Sequence, residues 1–237
     1  MSLTQLKTLH QELKALANPQ KAKLLQRFFK TGKGQYGEGD IFLGIMVPQS
    51  RNLAKKYSNL PFEEIKRLLE SRFHEERLVA LLILVHNYKK SSEENKEKIF
   101  NFYIENTKYI NNWDIVDLSA HKIIGNHLKD KDKSILYKLA KSSNLWQKRI
   151  SIISTFYFIN NNEFQDSLNI AEILLSDSHD LIQKAVGWML REIGKKDIQV
   201  LEQFLKKHYK KMPRTTLRYA IERFPEETRQ RYLKGEI

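Results

Sequence analysis

Apolar residues recur at three- and four-residue intervals along almost the whole of this chain, and no convincing period-two alternation or hairpin turn interrupts them. The pattern predicts helices near 3–16, 19–30, 49–57, 62–71, 74–89, 92–106, 112–128, 131–141, 145–159, 164–175, 180–194, 197–209, 214–223 and 226–233. Local punctuation agrees with it. Asn18-Pro19 and Leu60-Pro61 are helix starts, since proline fits the first turn, where no amide donor is needed. Ser91 or Ser92 followed by Glu94 reads as a cap, and so does Asn111 followed by Asp114. Short links between these segments predict antiparallel neighbours.

The apolar stripes also repeat. "RLVALLIL" from Arg77, "WDIVDLSA" from Trp113, "RISIISTF" from Arg149 and "KAVGWMLR" from Lys184 start roughly 36 residues apart, the length of a two-helix solenoid repeat. A single pair of that kind cannot bury its own apolar face, so repeats must stack. The expected fold is therefore all-α: an α-solenoid of HEAT-like antiparallel helix pairs, curved into a superhelix with a basic concave groove. One domain is expected over 1–237. The exception to the pattern is "TGKGQYGEGDIFLGIMVP" at 31–48, which holds five of the nine glycines. Its spacing does not match a phosphate loop, and it reads as a long, mobile flap beside a ligand.

Charge narrows the partner. With 41 Lys+Arg against 28 Asp+Glu the chain carries +13, which favours a polyanion such as DNA or RNA, or an acidic membrane surface, with a merely soluble basic protein as the plain alternative. There is no cysteine, hence no disulfide framework and no thiolate chemistry. The first 19 residues read as an amphipathic helix and not as a signal peptide, and "LVALLILV" at 78–85 is too short to cross a bilayer. A cytoplasmic protein with no membrane association is expected.

Against this basic background, "NNWDIVDLSAHKIIG" places two acids beside a tryptophan. Asp117 lies one helical turn after Trp113, so the two share a face. Trp188 follows Lys184 by the same step, and Arg149 opens the intervening repeat. Stacking is expected to bring Trp113, Asp117, Arg149 and Trp188 to one surface. Each has a plain structural alternative: core packing for the indoles, an Asp117–Arg149 bridge between repeats, and a capping role for Asp114. Asp117 is the hardest to explain that way, because aspartate suits a helix interior poorly and this one is flanked by Val116 and Leu118. Arg191, Arg214 and Arg218 are further candidates for phosphate contact, with a solvated basic face as the alternative. Asp117 and His121 have the spacing of metal ligands, but no second histidine supports them, so no metal and no cofactor are expected.

"NNWDIVD", "LWQKRISI", "IQKAVGWMLRE" and "RTTLRYAIERF" together resemble the bacterial AlkD family of alkylpurine DNA glycosylases, over most of the chain from "YGEGDIFLGIMVP" onward. The resemblance implies a HEAT-like repeat enzyme that excises N3- and N7-alkylpurines from double-stranded DNA and leaves an abasic site, without flipping the lesion into a pocket. It puts the catalytic aspartate at Asp117, the lesion-contacting tryptophans at Trp113 and Trp188, and a backbone-binding arginine at Arg149. The absence of an obvious dimer motif suggests a monomer, and a nucleoid-associated location with no obligate protein partner is expected. Some members carry a tyrosine in the second helix; here "LQRFFK" presents Phe28, and Tyr36 of the glycine loop is the candidate substitute. The competing readings are a non-catalytic α-solenoid that binds nucleic acid and a protein-binding scaffold.

Overall fold

The computed structural model describes residues 2–237, with side chains from residue 5 onward, so Met1 of the expected domain lies outside the described residues. The described chain is helical. Its extended pairing is one isolated parallel bridge between Ile41 and Phe73.

The helices are α1 (Ser2–Leu16), α2 (Pro19–Phe28), α3 (Val47–Lys56), α4 (Phe62–Leu69), α5 (His74–Lys90), α6 (Glu93–Glu105), α7 (Trp113–Ala120), α8 (Ser134–Ala140), α9 (Leu145–Ser154), α10 (Phe156–Asn160), α11 (Gln165–Leu174), α12 (Asp180–Lys196), α13 (Ile198–His208), α14 (Arg214–Ala220) and α15 (Glu226–Lys234). The agreement with the spacing-based boundaries is close, and the departures have local causes. The helix expected over 145–159 divides at Thr155. There the hydroxyls of Ser154 and Thr155 bond back to the carbonyls of Ile150 and Ile152, which bends helices. The helix expected over 112–128 changes pitch, with a π-helical turn over His121–Gly125. Asn18 caps α2 as read, accepting from the Lys21 amide at 3.0 Å. Asn111 does not cap α7. Asn112 accepts from the Trp113 amide instead, at 2.8 Å.

Two compact units divide the chain, 1–119 and 120–237. In the first, α5 is the centre. Its apolar residues Leu78 to Leu84 are buried all round, with α3 and α4 packed against it and α1 against α4. A helix enclosed on every side is stabilised mainly by that burial, about 1.5–3 kcal/mol for each large aliphatic side chain. In the second unit the repeat is plain. The pairs α8–α9 and α11–α12 pack within themselves, while α8 meets α11 and α9 meets α12, so equivalent helices stack. Gly187 of α12 permits the next layer. A Cβ there would meet the Thr216 carbonyl oxygen of α14 at 2.6 Å. Among the described residues no helix is long and apolar enough to cross a membrane.

Candidate functional site

In the first unit, three segments are tied together around one buried imidazole. His74 opens α5 and is 2% exposed. Its Nε2 lies 2.8 Å from Oδ2 of Asp114, in the first turn of α7, and its Nδ1 lies 3.3 Å from Oδ2 of Asp40, in the glycine-rich segment. Burial works against a charge on this ring, but the two carboxylates outweigh it and push the pKa up to about 9. Both ring nitrogens therefore carry protons at neutral pH. Asp40 is held below its ordinary value. Its burial acts the other way and is outweighed by hydrogen bonds from His74 and Asn112 and by the Arg77 charge. Arg77 donates to Asp40 at 2.6 Å, and Asn112 donates to it at 3.0 Å. Asp114, which the sequence offered as a helix cap, spends its carboxylate on His74.

The glycine-rich segment, expected as a mobile flap, is tied down in part. Its second half is pinned: Glu75 accepts the amides of Leu43, Gly44 and Ile45 at 2.9, 2.8 and 3.2 Å, and Phe42 and Ile45 are buried. Gly44 has φ 84° and packs its α-carbon against the Asn18 carbonyl and the Ala22 amide, so only glycine fits there.

This network frames a cavity of about 340 Å³ that lies wholly within the first unit. Its wall is mostly apolar, with Phe28, Phe29, Phe42, Met46, Trp113 and Leu118. The rings form a continuous series. Trp113 stacks on Phe29 (5.1 Å), Phe29 on Phe42 (4.9 Å) and Phe42 on His74 (4.4 Å), while Phe28 stands edge-on to Trp113 (5.9 Å). Polar groups interrupt the wall at His74, Glu75, Asp114 and Asp117. Asp117 is half-buried, one turn beyond Trp113, and its charge adds to burial in pushing the Tyr103 phenol well up. Tyr36 reaches the same place. The Trp113 indole N–H donates to its hydroxyl at 3.3 Å.

The structure thus brings Trp113, Asp117, Phe28 and Tyr36 together in one unit. The other expected site residues belong to the second unit, and their surroundings differ among themselves. Trp188 on α12 is half-buried, donates its indole N–H to Glu192 at 3.0 Å and leans on Phe156. Lys184 pairs with Asp180 at 2.7 Å. Arg149, expected at a phosphate, is 5% exposed and donates to the Leu181 carbonyl at 2.6 Å, tying α9 to the start of α12. Arg191 is paired with Glu222 and approaches Glu192 at 3.6 Å. Arg214 is exposed, with one nitrogen donating to the Leu233 carbonyl at 2.6 Å, and Arg218 is exposed. Among the described residues, no group of three or more acidic or histidine side chains is placed to hold a metal.

The sequence reading missed His74, Asp40, Phe29 and Phe42. A signal existed for Asp40: an acid immediately before the apolar run "IFLG" is a candidate for burial with a partner. None existed for its pairing with His74, 34 residues away.

A family model described as DNA alkylation repair enzyme matches residues 9–224. Among solved structures, one from Enterococcus faecalis described as a predicted DNA alkylation repair enzyme superposes with a TM-score of 0.67 at 18% identity, covering 89% of this chain and 97% of that one. AlkD2 from Streptococcus mutans superposes with a TM-score of 0.53 at 20% identity, covering 87% and 98%. At these identities the likeness is one of fold. No curated protein matches.

Proposed function

The chain belongs to the DNA alkylation repair enzyme family, and on that premise we propose that it is a DNA glycosylase hydrolysing the N-glycosidic bond of cationic N3- and N7-alkylpurines in double-stranded DNA. The observation that carries the reading is the placement of Asp117 and Trp113 on one wall of a largely apolar cavity. A carboxylate in such a setting acts on positive charge more strongly than it would in water.

The chemistry asks for little more. N3 or N7 alkylation leaves the purine cationic, so it departs with the bonding electron pair and becomes neutral without a general acid. Ordinary glycoside hydrolysis needs a second carboxyl group for that protonation. As the bond to C1′ stretches, positive charge grows on the sugar. Asp117 stabilises it and orients a water that adds to C1′, releasing a proton and leaving an abasic site. Trp113 offers its face to the lesion, a contact of about 0.5–2 kcal/mol for a cation on an indole. Trp188 is assigned the same role on the resemblance alone. We read 1–237 as one DNA-binding domain, since the family match spans both units. Arg214 and Arg218, being exposed, are the readiest phosphate contacts. Arg149 and Arg191 would have to exchange their present partners to reach one.

Asp117→Asn tests the assignment. The variant should fold and bind DNA as the parent does, while release of 7-methylguanine from methylated DNA falls by roughly 10²–10³. Release at the parental rate would remove Asp117 from the chemistry. A parent that binds DNA with salt-sensitive affinity and frees no base would instead be a non-catalytic nucleic-acid-binding protein.

A further inference from the structure

We propose that a second cavity of the first unit, at the other end of α5 from His74, is a binding site for an adenine nucleotide, either free or at the end of an unpaired strand. It shares no lining residue with the cavity beside Asp117 and does not depend on the glycosylase reading. Helix α5 serves both places: His74 at its start lines the first, and Asn87 lines the second, about 20 Å further along the axis.

Shape is the first argument. The cavity holds about 310 Å³, at the lower end of small-molecule sites. It lies between the α3–α4 link, the end of α5 and the start of α6. Its floor is aliphatic, from the buried side chains of Leu60, Ile65, Leu84 and Ile99. Half-buried Phe62 adds a ring to the wall, held by Phe102 at 4.9 Å. Aliphatic and aromatic surface together suit a flat ring.

Unspent polar groups are the second. Asn87 donates its amide to the Ser58 carbonyl at 2.8 Å, which fixes the mouth. Asn59 and Asn95 stand exposed on the rim. Among the described residues, their carboxamides enter no hydrogen bond. A carboxamide offers a donor and an acceptor side by side, the complement of the adenine edge at N6 and N7.

Charge is the third, and it differs in sign from the cavity beside Asp117. No lining residue is acidic, and the one charged lining residue is exposed Lys90. The neighbouring acids of α6, Glu93 and Glu94, are taken up by Lys96 and Lys98, each at 2.7 Å. Burial, then the charges of Lys90 and Lys55, hold His86 below its ordinary value, so this end of α5 is positive without it. An ammonium beside a flat apolar slot fits a phosphate carried on a base. A fatty acid would displace water from the carboxamides without replacing its hydrogen bonds, and a sugar phosphate would leave the aliphatic floor uncovered.

The test is calorimetric titration of the full chain with adenosine 5′-monophosphate, adenosine, uridine 5′-monophosphate and inorganic phosphate. Adenosine monophosphate should bind with a Kd of about 10–100 μM, within reach of a ligand of that size, and each of the others at least about fivefold more weakly. Lys90→Gln should bring the nucleotide to the affinity of adenosine. Asn95→Ala should weaken nucleotide and nucleoside alike, by about fivefold, the scale of one hydrogen bond. Both changes are at exposed positions, so the fold is kept. No saturable binding, phosphate binding as tight as the nucleotide's, or an unchanged constant in either variant would overturn the proposal. A single-stranded oligo-deoxyadenylate that displaces the mononucleotide and binds more tightly assigns the site to a strand end; one that binds more weakly assigns it to the free nucleotide. None of these readings uses base release, so a chain that frees no base from methylated DNA can still pass, and an active glycosylase can still fail.

Discussion

At the level of single residues, the decisive side chain is His74, which the hydrophobic pattern left unremarked. A protonated imidazole is held between Asp40 and Asp114, with Phe42 stacked on its face and Arg77 on the far side of Asp40. Taking one partner from a buried ion pair leaves the others uncompensated, so His74→Ala should cost about 3–5 kcal/mol, read as a shift in the denaturant midpoint. The pH dependence follows from linkage. The folded-state pKa of about 9 lies above the ordinary 6.5, so this ring's contribution is complete below 6.5. It is lost as the pH rises through about 9 and amounts to about 3 kcal/mol in all. Unfolding midpoints measured across that window should fall in the parent and stay flat in His74→Gln. A parental curve as flat as the variant's would mean the ring is neutral in the fold. Asp40, held low, works in the opposite direction: its contribution is present above the ordinary aspartate value and is lost below it, as the pH falls through the lowered folded-state pKa.

At the level of elements, the site depends on a loop that is built like a piece of secondary structure. Residues 40–46 run between α2 and α3, bridge to Phe73 through Ile41, and hand three amides to Glu75. Five glycines in eighteen residues suggested freedom. In fact Gly44 is there because the α2 backbone leaves no room for a side chain and φ is positive. Gly44→Ala is therefore expected to destabilise by about 2 kcal/mol or more, and to disturb the cavity wall, which base release from methylated DNA would register. Asn18→Ala removes the cap of the same α2 and should cost about 1 kcal/mol without touching the cavity. If the two variants behaved alike, the close approach at Gly44 would have no special weight. In the second unit the stacking of α8 on α11 and α9 on α12 bears out the roughly 36-residue period read from the apolar stripes.

At the level of the whole molecule, the surplus of thirteen positive charges is the term that DNA would feel first. Counterion release makes such affinity fall steeply with salt. Arg218, exposed at the end of α14, is expected to contribute one phosphate contact. Arg218→Ala should then lower the slope of log affinity against log salt by about one, uniformly across sequences. An unchanged slope would return Arg218 to the solvated face of its helix. Arg149→Ala is expected to act differently, because its guanidinium joins α9 to the Leu181 carbonyl. Its loss should appear in the thermal midpoint of the protein as well as in DNA affinity.

Sequence alone determined the helical class, nearly all helix boundaries, the repeat length and the family, because each is written in local spacing or in short motifs that survive without their surroundings. It also placed Trp113 and Asp117 on one face, since residues four apart on a helix must share it. Tertiary structure alone decided that the second half of the glycine-rich segment is a pinned wall, that Asp114 answers a histidine from another helix, and that Arg149 and Arg191 are already engaged. Those facts depend on partners about 30–70 positions away, whose approach is set by how whole faces pack and not by any pattern readable along the chain.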